Sequence, residues 1–240
     1  MNERLIRDIT VKVLQEITAP SQLRENNSET AIKKGGAKTI TVSPTPGMNA
    51  HAIPIGVSAR HLHLCRKHMD ILFGTASQLT FYKELMGGQF AAAEAVSIIG
   101  SNSNTILKAR LLGPLRDATQ VEVSATDGRA LGISAPLRDS GDLGGSAGIT
   151  LVGPRGAVYL EEGCIVARRH IHMSPSDATQ FGVNDKEIIN VLIDGPRGGI
   201  LSNVLVRVDV SFTLEMHLDT DEANAFAISS GTHARVIAYP

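Results

Sequence analysis

The sequence predicts a mainly β protein, built as small antiparallel barrels or sandwiches in two related domains behind an N-terminal helix on a linker. Three observations predict it. From Ile53 onward, short runs rich in Val, Ile, Thr and Leu are separated by Gly, Pro, Asp and Asn, as in Val96-Ser97-Ile98-Ile99, Val121-Glu122-Val123-Ser124 and Val204-Leu205-Val206-Arg207-Val208. Ala59-Arg60-His61-Leu62-His63-Leu64 is echoed by Arg168-Arg169-His170-Ile171-His172-Met173, and each copy is followed about ten residues later by Phe-Gly, at Phe73-Gly74 and Phe181-Gly182. A looser echo pairs Gly113-Pro114-Leu115-Arg116 with Gly195-Pro196-Arg197. Finally, residues 1–19 differ in texture from everything after them.

In that first segment Leu5, Ile6, Ile9, Val13, Leu14 and Ile17 recur at spacings of three and four, which makes one apolar helical stripe. Charges interrupt the stripe throughout, so it is not a secretory signal, and the mixture of acids and bases argues against a mitochondrial presequence. Pro20 ends the pattern. Residues 20–47 are rich in Ser, Asn, Thr, Gly, Lys and Pro, with Gly35-Gly36 and Ser43-Pro44-Thr45-Pro46-Gly47, and read as a flexible linker. A short amphipathic helix on a tether has no core of its own and is expected to dock elsewhere. The first domain is expected over 48–160 and the second over 161–240, with the boundary in the Gly-rich stretch Gly141 to Gly163. Helices are few and short in this reading. One follows Ser174-Pro175, an N-cap with Pro at the first helical position, and another follows Asp219-Thr220.

Composition narrows the function. The 240 residues carry 42% hydrophobic and 20% charged content, ordinary for a folded chain, and 23 basic against 24 acidic residues give a net charge of −1. That balance offers no bulk field for a polyanion, and with 4% aromatic residues and no Trp there is little to stack bases on, so nucleic acid is not an expected partner. The cores must come from Val, Ile, Leu and Ala. Cys65 and Cys164, the two cysteines, suggest a reducing compartment and structural thiols. No apolar run approaches the ~20 residues of a membrane span.

The candidate chemistry lies in the repeated His-x-His. Residues i and i+2 of a strand project from one face with Cα atoms ~7 Å apart, so His61 and His63, and likewise His170 and His172, can converge on one ion. Leu62 and Leu64, or Ile171 and Met173, then face the core. Catalytic zinc takes three protein ligands plus an exchangeable position, so each pair needs a third. His217 qualifies for the second pair, because Phe212, Leu214, Met216 and Leu218 alternate as the buried face of its strand. Glu122, between inward-facing Val121 and Val123, qualifies for the first. Imidazoles with an optional carboxylate favour zinc, with iron, cobalt and manganese as alternatives. A lone His-x-His is more often a surface or hydrogen-bonded pair, and repetition in matched context is what favours the metal. His51, His68 and His233 lack such a setting and are expected to be solvated. Arg116, in a turn, would by itself be a solvated charge or a partner of Asp117, but its closeness in sequence to Glu122 suits bidentate capture of phosphate or carboxylate. Cys65 is expected to be structural rather than a ligand or nucleophile.

These segments resemble one family. Val57-Ser58-Ala59-Arg60-His61-Leu62-His63-Leu64, Gly113-Pro114-Leu115-Arg116, Thr119-Gln120-Val121-Glu122-Val123-Ser124, Arg169-His170-Ile171-His172-Met173-Ser174-Pro175 and Leu214-Glu215-Met216-His217-Leu218-Asp219-Thr220-Asp221-Glu222-Ala223-Asn224 closely resemble the PduL-type phosphotransacylases, or phosphate propanoyltransferases, of bacterial microcompartments. The resemblance runs from about Ile53 to Asn224. It implies two small β-barrel domains with short capping helices, and a homodimer or higher homo-oligomer. It implies two zinc ions, one held by His61, His63 and Glu122 and the other by His170, His172 and His217, with Arg116 on phosphate. Val57, Ser58, Ala59, Arg110 and Asn224 fall at coenzyme A positions. The implied reaction converts a short-chain acyl-CoA, such as propanoyl-CoA or acetyl-CoA, and phosphate reversibly to acyl phosphate and CoA, as in propanediol degradation. Residues 1–19 resemble an encapsulation peptide that binds microcompartment shell or lumen proteins, placing the enzyme in the lumen of that cytoplasmic compartment. Cys65 stands where the family has Ser, and Ala93 replaces an acidic residue. The alternatives are a dinuclear-metal thioesterase or hydrolase, and a non-catalytic zinc-stabilised scaffold.

Overall fold

The computed structural model describes residues 52–229 and 231–237. The N-terminal helix expected over 1–19, the linker 20–47 and His51 lie outside the described residues. The fold is mainly β, as expected, with two closed six-stranded barrels.

The first barrel contains β2 (His61–His63), β4 (Phe90–Ile99), β5 (Thr105–Gly113), β6 (Gln120–Glu122), β8 (Ala147–Val152) and β9 (Ala157–Ala167). Its ring runs β4-β5-β2-β6-β9-β8 and returns to β4, while β3 (Phe81–Glu84) extends it beside β4 and β7 (Leu137–Arg138) beside β9. The second closes as β1-β13-β10-β12-β11-β14, from β1 (Ala52–Ser58), β10 (His170–Met173), β11 (Ile188–Ile193), β12 (Gly199–Val208), β13 (Glu215–Asp219) and β14 (His233–Ile237). These pairings correct two expectations. The barrels are mixed rather than antiparallel: β2/β5 and β6/β9 are parallel in the first, and β1/β13 and β10/β12 in the second. The boundary expected at 160/161 falls inside β9, which pairs along its length within the first barrel, whereas β1 belongs to the second. Ile53 on β1 accordingly packs with Ile171, Val191 and Met216, while the first core gathers Leu62, Leu111, Ile149 and Cys164. The strand that opens the sequence of the first domain closes the ring of the second.

Helices occupy matching places. In each barrel the His-x-His strand leads into a helix, α1 (Arg66–Phe73) after β2 and α3 (Pro175–Phe181) after β10. The repeated Phe-Gly marks where those helices end: Gly74 and Gly182 are their C-caps, and Gly182 has φ 66°, the left-handed conformation that glycine adopts without penalty. The strand carrying the third candidate ligand also leads into a helix, α2 (Ala125–Leu131) after β6 and α4 (Thr220–Ala225) after β13. Ser174 and Asp219 cap α3 and α4 in reciprocal boxes with Asp177 and Glu222. Ser124 caps α2 by accepting from Asp127 N. The sequence reading missed α1 because its N-cap, Cys65, makes no side-chain cap; it missed α2 although Ser124-Ala125-Thr126-Asp127 carries the capping signal.

A hydrogen bond joins helices of the two barrels beside the candidate site, and an ion pair ties the approach to each His-x-His strand to a helix. Thr126 N of α2 donates to Asp221 Oδ2 of α4 at 2.7 Å. Arg60, between β1 and β2, pairs with Asp127 at 3.0 Å, and Arg169, between β9 and β10, with Glu222 at 2.8 Å.

Candidate metal centres and anion site

Alternation along β2 and β10 places the histidines as expected. Leu62, Leu64, Ile171 and Met173 are fully buried in the two cores, so apolar burial worth ~1.5–3 kcal/mol per side chain holds the opposite, imidazole-bearing face in place. The third residues arrive by register. His61 lies directly opposite Glu122 on β6, and His170 directly opposite His217 on β13. The donor atoms of His61, His63 and Glu122 all lie within 4.8 Å of one another, and so do those of His170, His172 and His217. In the second trio the rings of His170 and His217 stack at 5.1 Å, with His172 edge-on to both. Met216 and Leu218 are buried as expected, but Phe212 lies against the His172 ring at 4.2 Å instead of joining their face, because β13 begins only at Glu215.

The chemistry of these donors fits a divalent metal. His61 Nδ1 is 2.9 Å from the Ala59 carbonyl and His170 Nδ1 is 2.8 Å from that of Arg168, which orients each ring and turns its Nε2 toward the other donors. Gln120 Nε2 donates to Glu122 Oε1 at 2.6 Å, leaving Oε2 of that carboxylate 3.4 Å from His61 Nε2. Among the described residues, Nδ1 of His63 and of His172 are buried without a well-aligned hydrogen-bond partner, an arrangement proteins rarely tolerate unless something else satisfies the atom. His217 Nε2 meets Glu215 Oε2 at 3.0 Å, an ion-pair distance without the alignment of a full hydrogen bond.

Electrostatics keep three of the imidazoles and the Glu122 carboxylate in their ligating forms. Burial pushes the imidazoles down, to about 3 for His63, about 4 for His170 and about 2 for His172, so they are neutral near pH 7. Burial by itself would raise the Glu122 carboxyl, but the His61 charge and hydrogen bond outweigh it and hold the group down to about 2. His61 is displaced upward, because the facing Glu122 overcomes its own desolvation. Neutral imidazole and ionised carboxylate are the states that bind metal.

Both trios line one cavity of about 240 Å³, together with Ser58, Gln89, Arg116, Ser140, Arg207 and Phe212. Arg116 does not pair with Asp117. Among the described residues its guanidinium donates only to neutral groups, Ser140 Oγ at 3.2 Å and Gln89 Oε1 at 3.4 Å. Arg207, which the sequence reading passed over, enters from the other barrel. It is the register partner of His172 on β12 and its guanidinium stands 5.8 Å from the Phe212 ring. Among the described residues neither arginine makes an ion pair with a carboxylate, so both charges remain for a ligand. Arg207 escaped notice because an arginine in a Val/Leu strand reads as its solvated face; only barrel closure turns that face toward the histidines.

The remaining candidates divide. Ser58 lines the cavity, and Ser58 and Ala59 line a smaller cleft beside it with His61 and His217, whereas Val57, Arg110 and Asn224 do not line either. Val57 is 45% exposed at the end of β1, Asn224 is exposed on α4, and Arg110 lies 4.7 Å over the Tyr82 ring with Nη1 donating to the Ala92 carbonyl. Cys65 lies outside the first trio, its amide donating to Thr119 Oγ1 at 3.0 Å. His68 is not simply solvated: its Nδ1 is 2.8 Å from the same hydroxyl. Cys164 is buried in the first core, where desolvation pushes its thiol up to about 12, a structural residue as expected. Ala93 is exposed, and its neighbour Glu94 accepts from Thr80 N at 2.9 Å.

Comparison with known proteins gives one answer over most of the chain. The family model described as phosphate propanoyltransferase matches residues 54–229. A phosphate propanoyltransferase of Lachnoclostridium phytofermentans is 56% identical over 185 residues, 77% of this chain and 87% of that protein. One of Rhodobacter capsulatus is 50% identical over 77% of this chain and 86% of its own length, and one of Thermotoga maritima 48% identical over 78% and 90%.

Proposed function

The chain belongs to the phosphate propanoyltransferase family and is a phosphate acyltransferase, and on that footing we propose that it moves a short acyl group reversibly between coenzyme A and inorganic phosphate in the cavity shared by the two donor trios. The observation that carries the reading is the convergence of both trios with two arginines that have no carboxylate partner among the described residues, Arg116 from one barrel and Arg207 from the other. A phosphate oxygen forms a bond to the thioester carbonyl carbon, the carbon–sulfur bond breaks, and CoA leaves as a thiolate. His61, His63 and Glu122 would hold one ion and His170, His172 and His217 another, most simply two zinc ions, with other divalent transition metals as substitutes. Such ions, when bound, would supply Lewis-acid stabilisation of negative charge on the departing sulfur and the carbonyl oxygen.

The protein's own part is positioning. Arg116 and Arg207, one from each barrel, neutralise and orient the attacking phosphate, and the hydroxyl and amide partners of Arg116 hold its guanidinium without cancelling its charge. Ser58 and Ala59 receive the thioester end of acyl-CoA from the adjoining cleft, with Val57, Arg110 and Asn224 as further contacts for coenzyme A. Propanoyl-CoA and acetyl-CoA are the candidate donors. Residues 1–19 act as an encapsulation helix for the lumen of a bacterial microcompartment, docking on shell or lumen proteins, and the enzyme works as a homodimer or larger homo-oligomer.

A dinuclear thioesterase would use the same six ligands, but water brings no charge that requires two guanidinium groups. A structural zinc scaffold would present four protein donors per ion instead of three. The deciding assay is CoA release from acetyl-, propanoyl- and butanoyl-CoA with and without phosphate. Release that depends on phosphate and yields acyl phosphate is expected; release without phosphate overturns the transferase reading in favour of the hydrolase. Deleting residues 1–20 is expected to leave this activity intact and to abolish encapsulation.

A further inference from the structure

The duplication of the two barrels reaches one residue beyond the six candidate ligands. On β6, Gln120 sits two residues before Glu122 and in register with His63; on β13, Glu215 sits two residues before His217 and in register with His172. Gln120 grips Oε1 of Glu122 at 2.6 Å. Glu215 Oε2 stands 3.0 Å from His217 Nε2 and lies outside the trio of mutually close donors. The same two-residue offset recurs at His61 and His170, whose Nδ1 atoms are held by the carbonyls of Ala59 and Arg168.

Two further observations point the same way. Gly56 on β1 is the register partner of His217, and a Cβ added there would lie 2.9 Å from Glu215 Cδ and Oε1. No unusual backbone angle demands glycine at this position, so the space left open is the space the carboxylate fills. Charge is also matched between the sites. The first trio contains a carboxylate and is backed by a neutral amide, whereas the second is all imidazole and is backed by a carboxylate. Each barrel thus places one negative group at its donor cluster.

We propose that Glu215 is the positioning residue of the second metal site, the counterpart of Gln120 in the first: it sets the His217 ring and supplies the anionic charge that the three imidazoles lack. Gly56 is part of the same arrangement, since it admits the carboxylate. This rests on both trios being metal sites. Carboxylate–histidine partnerships of this kind typically contribute ~10–100-fold to metal affinity.

The test titrates zinc alone into the metal-stripped full chain against a chromophoric chelator, with cobalt(II) absorption as a second readout. Wild type is expected to bind two equivalents. Glu215→Gln, which keeps the shape and removes the charge, is expected to bind one equivalent as wild type does and the other ~10–100-fold more weakly, with a changed cobalt spectrum. Gly56→Ala, which displaces the carboxylate without altering its chemistry, is expected to weaken the same equivalent, and Gln120→Ala the other one. Circular dichroism of the metal-free variants, expected to match wild type, separates this from a folding defect, and the cobalt spectrum is a signature that a merely structural role does not move. A Glu215→Gln titration and cobalt spectrum superimposing on wild type would overturn the inference and leave two metal sites standing. A wild-type chain that binds fewer than two equivalents would overturn the two-site reading itself.

Discussion

His170 and His217 face each other across a β10/β13 register and stack at 5.1 Å, just as His61 and Glu122 face each other across β2/β6. The third donor of each trio is therefore a cross-strand neighbour of the first. Rigid backbone pairing, rather than a loop, sets the distance between them.

Loss of one such neighbour should remove one ion and the reaction together. His217→Ala and His61→Ala are each expected to bind one zinc fewer per chain and to lower phosphate-dependent CoA release by more than ~100-fold, because the two halves of the cavity act on one transfer. Metal analysis of the purified variants beside the kinetic assay checks this; a variant with full activity and one ion would refute the joint role. Removing the metal from wild type with a chelator should abolish release, and zinc should restore it.

The arginines should act on phosphate more than on acyl-CoA. Arg116→Ala and Arg207→Ala are each expected to raise KM for phosphate ~10–100-fold, the equivalent of losing charge-assisted hydrogen bonds of ~1.5–3 kcal/mol, with a smaller change in KM for acyl-CoA. Arg116→Lys should recover little, since an ammonium cannot reproduce the guanidinium fork. Equal effects on both substrates would show that the arginines shape the cavity without binding the anion.

Acid should destabilise the metal-free protein. His63, His170 and His172 are held below their ordinary value of 6.5, so between that pH and about 4 the unfolded chain binds protons that the folded chain refuses, and stability falls as pH falls. Glu122, held down to about 2 from 4.5, adds a further loss below pH 4.5. His61, displaced upward, works in the opposite sense by favouring the folded state as it gains its proton, and one such group does not cancel three. Denaturant midpoints of the chelated protein at pH 7.0, 5.5 and 4.5 measure the trend, and a flat or rising series would contradict it.

The two thiols should differ sharply in reactivity. Cys164 is fully buried and its thiol is pushed up to about 12, so it is expected to resist alkylation until the chain unfolds, whereas the half-buried Cys65 reacts in the native state. Mass spectrometry of iodoacetamide-treated native protein checks the order. Protection of both would mean that Cys65 is closed off by something beyond this chain's described residues.

Ile53 tests the exchanged strand. Although it precedes the first His-x-His in sequence, it packs in the second core, and Ile53→Ala is expected to cost ~2–5 kcal/mol and to loosen β13 and β14 rather than β2. Hydrogen exchange resolved by segment would show which barrel opens.

Much of the site was legible because local rules placed it. The alternation of Leu62 with His61 and His63, and of Met216 with His217, is a period-two pattern that one strand imposes on its own side chains. The caps at Ser174 and Asp219 depend on residues only three apart. Gln120, Glu215 and Arg207 were not legible, because a Gln, a Glu or an Arg in a strand carries no mark of what lies opposite. Their meaning comes from register, and register joins segments separated by tens of residues.

By itself the sequence determined the mainly β class, the duplication, the six candidate ligands with Arg116, and the resemblance to a family that the comparisons bore out. All of these rest on residue type, short periodicities or motifs read in order along the chain. The tertiary structure decided that β1 crosses into the second barrel, that parallel pairs lie beside both His-x-His strands, and that Arg207 meets Arg116 in one cavity. Closing a barrel brings the last strand to the first, and whichever strand fills that gap is chosen by the packing of the whole ring, which no local stretch of sequence records.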